Sequence, residues 1–458
     1  MLDPQTGFNP VAVLAQAKVR FASIGKMAFI AVLMLLLLIP VAMIKDLVTE
    51  REERGAAAAS EVSDKWGGSQ QVVGPILTVP YRVIELDDEG KVKTTLNYAH
   101  FLPEEIVVKG DLQPEIRHRG IYDVALFRGK FDVQGRFAQP DFAAWDVSPD
   151  LIQWDDAYLS LSVPDVRALA DTMPLDWNGQ RAECVPDNYP GSPVTGGLHA
   201  PVRVSETAPG KDGYLFRLSM RLNGSGAMNF LPIGKQTRVH LTSSWTGPSF
   251  TGAFLPSASR IGKAGFEADW HTVHLSRSFP QSWRGAEVGS ADWDRFAFGV
   301  SLRLPVDRYQ KTMRCAKYAI LFIVLTFLVF FLNETVDRRR IHPLQYLLVG
   351  CAVCIFYLLL LAFTEHIPFG AAYCIAASGV VVLITAYGAA VLSTRKRAGV
   401  LGGMLTALYA FLYTLLQMED FALLTGSLGL FAILAAAMYL TRRLHLTPST
   451  SDGLGQLG

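Results

Sequence analysis

Residues 27–44 read MAFIAVLMLLLLIPVAMI, and the fold depends on whether this run is cut away or kept. A helix needs ~20 apolar residues to cross ~30 Å of hydrocarbon, whereas a cleaved secretory signal has an apolar core of only ~7 to 15. The run is longer than that, and the nearest small-residue cluster suited to cleavage, AAAAS at 56–60, lies beyond a charged REER. It therefore reads as an uncleaved signal anchor, with Pro40 making at most a kink near its outer end.

Further apolar runs begin only after residue 317, at 318–333, 344–363, 369–391, 399–417 and 421–440, and none carries a charged side chain. That makes six spans. Lys and Arg resist translocation and collect on the cytoplasmic side. Lys18, Arg20 and Lys26 precede the first span, and Arg338, Arg339 and Arg340 follow the second. Arg395, Lys396 and Arg397 follow the fourth, and Arg442 and Arg443 the sixth. The two other short loops, TEHIP at 364–368 and MED at 418–420, are acidic and hold no Lys or Arg. This pattern predicts cytoplasmic termini at 1–26 and 441–458, with 45–317 on the outer side of the membrane.

The bulk composition agrees with a membrane protein. The chain of 458 residues is 50% hydrophobic and 18% charged, with a mean hydropathy of +0.25, too apolar for an ordinary soluble chain of this length. Its 42 basic and 41 acidic residues leave a charge of +1, so nothing points to nucleic acid. Of the five cysteines, Cys351, Cys354 and Cys374 lie inside apolar runs, with Cys184 and Cys315 apart from them. Neither a zinc ribbon nor a disulfide framework is written there. Cys351 and Cys354 do form a CxxC, but burial in an apolar helix works against thiolate chemistry.

Residues 45–317 exceed the ~60-residue length over which loop charge matters, so they form a domain inserted between the first two spans. The opening part, 46–65, is rich in Glu, Arg and Ala and extends the first helix. Beyond it the pattern is β. In YLFRLSMRLNGSG, Phe216, Leu218, Met220 and Leu222 alternate with Arg217, Ser219 and Arg221, the period of two of a half-buried antiparallel strand. Leu159, Leu161 and Val163 alternate with serines, and Phe131 and Val133 with Asp132 and Gln134. Phe296, Phe298, Val300, Leu302 and Leu304 form the longest such row. The expected class is an α+β membrane protein with a large antiparallel, sandwich-like β domain. The stretch 178–213, dense in Gly and Pro, reads as loop.

Chemistry is sparse. His271 and His274 in DWHTVHL sit three apart, which on a strand puts them on opposite faces, so no metal site is expected. Asp155 and Asp156 face apart for the same reason. No GxSxG, Walker or Rossmann pattern occurs, and GSGAMNF at 224–230 lacks the Lys that phosphate binding needs. Trp245, Pro248 and Phe250 in SSWTGPSF are candidate partner anchors, with core packing as the plainer alternative. The spans carry no ionisable residue at their centres, which weakens a transport reading. Gly399 and Gly403, and Gly426 with Gly429, suit close helix packing or oligomerisation. Glu365 and His366 end FYLLLLAFTEH (356–366) and either mark the lipid boundary or couple the β domain to the bundle.

The longer motifs resemble the CreD family of bacterial inner-membrane proteins, known as cell envelope integrity proteins. The likeness is carried by VVGPILTVP at 72–80, by LNGSGAMNFLPIGKQTRVHLTSSWTGPSFTGAFLP at 222–256 with GFEADW at 265–270, and by AKYAILFIVLTFLVFFLNE at 316–334. HPLQYLLVGCAVCIFYLLLLAFTEHIPF at 342–369 completes it. The resemblance covers nearly the whole chain, departing at the ends. It implies a protein tied to a two-component system that answers envelope or peptidoglycan stress. It implies no catalytic residue, cofactor or metal. The expectation is therefore a non-enzymatic envelope accessory protein with the lipid bilayer, an envelope protein or a peptidoglycan-related component as partner. A transporter or channel with a periplasmic domain is the alternative.

Overall fold

A computed structural model describes residues 10–86, 92–186, 189–194, 196–207, 210, 213–288, 293–302, 308–337, 342–391, 395–418 and 421–441. The basic residues Arg338, Arg339, Arg340, Arg442 and Arg443, the row's last member Leu304, and the tail from 442 fall outside them. The chain divides into two compact units, one formed by 1–54 and 306–458, the other by 55–305.

The helical unit contains most of α1 (Pro10–Trp66), whose last residues belong to the other unit. After it come α2 (Arg308–Lys317), α3 (Ala319–Asp337), α4 (Pro343–Thr364), α5 (Phe369–Val391), α6 (Arg395–Gln417) and α7 (Ala422–Thr441). Among the described residues four helices are long and apolar enough to cross a membrane. The count is five if α2 and α3, bent by 50° at Tyr318, form one span; the apolar stretch 424–436 of α7 is shorter. Six spans are thus more than the described residues display. The bend follows from composition. Helix α2 carries Arg308, Lys311, Arg314 and Lys317 at every third position, whereas α3 opens AILFIVLTF.

On α1 the buried residues are Ile30, Leu33, Leu37, Val41, Ile44 and Val48, while Phe29, Val32, Leu36, Ile39 and Met43 are exposed. Spacings of three and four place the buried set on one stripe. The stripe packs closely on α4 at Gly350, where an added Cβ would come within 2.2 Å of Leu37 Cδ1. Small residues in membrane helices permit that approach. Gly399 and Gly403 play no such part, since a Cβ at either would meet nothing within 4 Å. Gly429 against Phe411 is a close contact, as its spacing with Gly426 suggested, and Gly402 against Thr385 is another. GxxxG spacing alone cannot tell which helical face has a neighbour.

The other unit is β. Its strands are β1 (Gln70–Leu86), β2 (Val92–Phe101), β3 (Glu105–Arg119), β4 (Tyr122–Phe137), β5 (Tyr158–Ser162), β6 (Pro174–Trp177), β7 (Gln180–Glu183) and β8 (Val185–Pro186). They continue with β9 (Leu198–Pro201), β10 (Tyr214–Ser225), β11 (Ala227–Phe230), β12 (Gln236–Ser243), β13 (Pro248–Gly252), β14 (Ala258–Gly262), β15 (Gly265–Val273), β16 (Ser282–Arg284) and β17 (Phe298–Leu302). One sheet runs β13-β17-β11-β1-β5-β9-β8, with β2 also on β1 and β16 on β2. The second runs β14-β15-β12-β3-β4-β10-β6-β7. Both contribute to one hydrophobic cluster, as where Phe131 of β4 meets Phe230 of β11 and Trp270 of β15 meets Phe298 of β17, each pair at 5.8 Å. The expected alternation holds along β10, where Phe216, Leu218, Met220 and Leu222 are buried and Arg217 and Arg221 exposed.

Four details depart from the sequence reading. The sheets are mixed, because β12 pairs with β3, and β1 with β11, in parallel. Ser160 is as buried as the residues it alternates with, since β5 lies between β1 and β9 with both faces covered. And 178–213 is not wholly loop: β7, β8 and β9 lie there, held by pairing to β6 and β5. Cross-strand partners, not intrinsic propensity, decide such short strands. Phe296 lies in the turn before β17 and not in the strand.

Candidate functional site

The β unit presents a polar cleft of about 510 Å³ between β1, β2, the 145–151 segment and the turn after β16. Its lining includes Tyr81, Arg82, Glu85, Asn97, Trp145, Asp146, Arg284 and Glu287. Tyr81 sits at the inner wall, 2% exposed, its ring edge-on to Phe142 at 5.8 Å. Burial raises the pKa of its hydroxyl, and Arg284 and Asn97 beside it pull the other way. Trp145 is half-buried, resting on Phe101 and Phe142 at 5.7 Å each. The Arg284 guanidinium lies 5.8 Å from the Trp145 ring centre. The next residue, Asp146, closes a short 3-10 turn with φ of 50°, a left-handed conformation that Asp tolerates better than most residues. Two arginines stand among three carboxylates, so the cleft has no strong single sign.

In the helical unit the acidic and basic side chains lie outside the apolar runs. Pro343 is at the start of α4, and His342 caps it with Gln345 in a reciprocal box: Leu344 N donates to His342 Nδ1 at 3.3 Å, and His342 N to Gln345 Oε1 at 3.1 Å. One turn on, the Tyr346 hydroxyl donates to Glu334 Oε2 at 2.8 Å, and Glu334 pairs with Lys26 of α1. At the far end of α4, Glu365 lies 3.6 Å from Arg51 Nε, also on α1. Thus α1 pairs with α3 near one end of α4, where Lys26 also lies 5.5 Å from the Tyr346 ring centre, and with Glu365 at the other. Between them lies a ring cluster centred on Phe356, which contacts Phe322, Tyr357, Tyr373 and Tyr409 at 5.0 to 5.5 Å. The Tyr373 hydroxyl donates to Tyr409 O at 2.8 Å.

The sequence candidates divide accordingly. Trp245 is 9% exposed and part of the hydrophobic cluster, donating its indole N–H to Gly247 O at 3.1 Å. Phe250 packs on Phe266 and Trp270 at 6.0 and 5.6 Å, with Pro248 opening the same strand. A buried indole presents no face to a partner, so the core-packing alternative describes Trp245. Glu365 reaches α1, and His366 is exposed, its N–H bonded to Phe363 O at 3.0 Å. His271 and His274 are not brought together, lying on β15 and in the 3-10 turn that follows. The cleft residues were not legible beforehand, because Tyr81, Asn97, Trp145 and Arg284 come from four separate stretches. The buried tyrosines Tyr357, Tyr373 and Tyr409 sit within the apolar runs and bring hydroxyls inside the bundle.

Several helices of membrane-crossing length together with a large two-sheet unit define a multi-pass membrane protein with a β domain. The family model "Inner membrane protein CreD" matches residues 22–447, and the chain belongs to that family. It is 32% identical over 417 residues, 90% of each chain, to the inner membrane protein CreD of Escherichia coli strain K12. It is thus a multi-pass inner-membrane protein. Among solved structures, a mutant M1 zinc metallopeptidase from Deinococcus radiodurans is similar over 37% of this chain and 38% of its own, at 9% identity and a TM-score of 0.18, too low to carry any argument.

Proposed function

We propose that the protein is an envelope accessory protein that binds and does not transform its ligand, and that the β unit takes a polyhydroxylated envelope component, a glycan, in the cleft around Tyr81, Trp145 and Arg284. The observation that carries this reading is the cleft's make-up: one indole beside guanidinium, amide and carboxylate groups of both signs. An aromatic face suits the apolar side of a sugar ring, and planar polar groups suit its hydroxyls. Near-balanced charge argues against a polyanion. The remainder of the reading rests on the basic loops: cytoplasmic termini, a periplasmic β unit, and six spans with α7 as the last. A role in envelope integrity or in a two-component stress response follows from the family resemblance.

Photo-crosslinking from position 97 in the full chain in living cells tests it. The expected result is an adduct that collapses on digestion with a muramidase and disappears when Trp145 and Arg284 are changed to alanine. No adduct, or an adduct that resists the enzyme, overturns the glycan.

The alternative, a transporter, draws on the hydroxyls of Tyr357 and Tyr409, 1% and 2% exposed within the bundle. It requires solute or ion flux in liposomes that Tyr357→Phe abolishes.

A further inference from the structure

The outer face of the second sheet carries a constellation that neither the cleft nor the helical unit uses. His240 on β12 lies directly opposite Asp269 on β15 in the antiparallel register, and Glu267 is two residues along β15. Side chains two apart on a strand share a face, so the two carboxylates flank the imidazole. The ligating atoms of all three residues lie within 4.8 Å of one another.

The contacts are unequal, and the inequality is informative. His240 Nδ1 is 2.7 Å from Asp269 Oδ1, a hydrogen bond. With Nδ1–H donating to this carboxylate, the Nε2 lone pair is the free one and faces Glu267 Oε1 at 3.9 Å. In the neutral imidazole these are two acceptors facing each other across the gap, which cannot hydrogen-bond. A cation at roughly 2.0 to 2.2 Å from each would span it. An imidazole that gives its second N–H to a carboxylate and its lone pair to a metal is a recurrent arrangement, and the carboxylate fixes the tautomer.

Neighbouring cations do not close the gap. Arg260 on β14 touches Glu267 at 3.5 Å but is itself 87% exposed, and such surface pairs are weak. Lys109 lies beside His240 on β3, matched on its other side by Asp132. All three residues fall within the segments 222–256 and 265–270.

We infer that this face binds a borderline divalent transition ion of the zinc type, with His240 Nε2 and Glu267 as ligands, Asp269 orienting the imidazole, and water completing the coordination. One nitrogen and one oxygen ligand suit zinc, nickel or copper better than magnesium. The exposed pair His118–Asp123, with Nδ1 to Oδ1 at 2.6 Å, provides an internal comparison, since it has the orienting carboxylate without the second one.

The test uses the full chain in detergent, stripped of metal with a chelator and titrated with zinc by calorimetry, each variant first checked for native tryptophan fluorescence. The expected result is one saturable equivalent that His240→Ala removes. Glu267→Gln should weaken it about tenfold or more, and Asp269→Asn by ~10- to 100-fold as an orienting partner. His118→Ala should leave it unchanged. Wild-type uptake equal to that of the His240→Ala variant overturns the inference. So does binding that survives both Glu267→Gln and Asp269→Asn, which would mark a lone surface histidine.

Discussion

The two units deal with charge in opposite ways. In the β unit the guanidinium of Arg277 is buried, 8% exposed, yet its hydrogen bonds go to neutral acceptors. Its Nη atoms donate to the carbonyls of Phe279, Pro280 and Ile233 and to Gln281 Oε1, and Gln281 in turn donates to Leu102 and Pro103 O at 3.1 and 2.8 Å. One cation thus ties three loops together through neutral acceptors. In the helical unit Lys26 meets Glu334 and Arg51 meets Glu365, all four outside the apolar runs, while rings fill the middle. The difference teaches what each environment permits. A β domain can enclose a charge if loop carbonyls converge on it, whereas a membrane helix has spent its carbonyls on itself and must send charges to the interface.

The comparison can be broken most severely at Arg277. Arg277→Ala leaves several buried acceptors unpaired and should cost about 4 kcal/mol, read as loss of the β unit's thermal transition. Burial lowers this guanidinium to about 10, so it stays charged at neutral pH. A variant as stable as the parent would end the claim that the charge organises the loops.

The next largest effect is on protons. His100 is 1% exposed, 3.0 Å from the Thr78 hydroxyl through Nδ1, and burial lowers its pKa to about 4, with a bond involving Gly285 opposing. The unfolded chain takes up a proton near pH 6.5, the folded one only near 4. Stability should therefore be full above pH 6.5 and decline as pH falls towards 4, by about 3 kcal/mol at most. Trp283, with its ring centre 5.2 Å from the His100 ring, provides a local fluorescence probe. A His100→Gln variant that keeps the same acid slope would assign the slope elsewhere.

Smaller again is the Arg51–Glu365 contact, whose side chains are 35% and 15% exposed. A double-mutant cycle with Arg51→Ala and Glu365→Ala should give a coupling of ~0.5 to 1 kcal/mol by thermal melting in detergent. Zero coupling would return Glu365 to a lipid-boundary marker. The smallest effect sharpens the packing side of the contrast. Gly399→Leu and Gly403→Leu, pointing into open space, should each change stability by about 0.5 kcal/mol or less, whereas Gly429→Leu, with Phe411 at 2.2 Å from its added Cβ, should lower the melting temperature clearly. Equal losses at all three would mean that 399 and 403 are covered by a second copy.

Much of this was legible along the chain, and its limits have a common cause. The helices are a property of local runs: α4 and α5 are continuous apolar segments with proline at or just before their starts. The strand β10 is equally local, its alternation visible residue by residue. What a local pattern could not supply was the distant partner. The short strands in 178–213 exist because β5 and β6 offer free edges. Trp245 was a candidate anchor until its place in the core was known. GxxxG at 399–403 gave the right residue type on a face that meets no neighbour among the described residues of the chain.

Sequence alone determined that the protein has a membrane part and a β part, because hydropathy and period are set by neighbours within a few residues. Only the tertiary structure decided which side chains meet: Glu365 with Arg51, His240 between two carboxylates, Tyr81 beneath Trp145 and Arg284. These are contacts between groups far apart in the chain. Their geometry is fixed by strand register and helix packing, quantities to which no single stretch of sequence contributes more than a part.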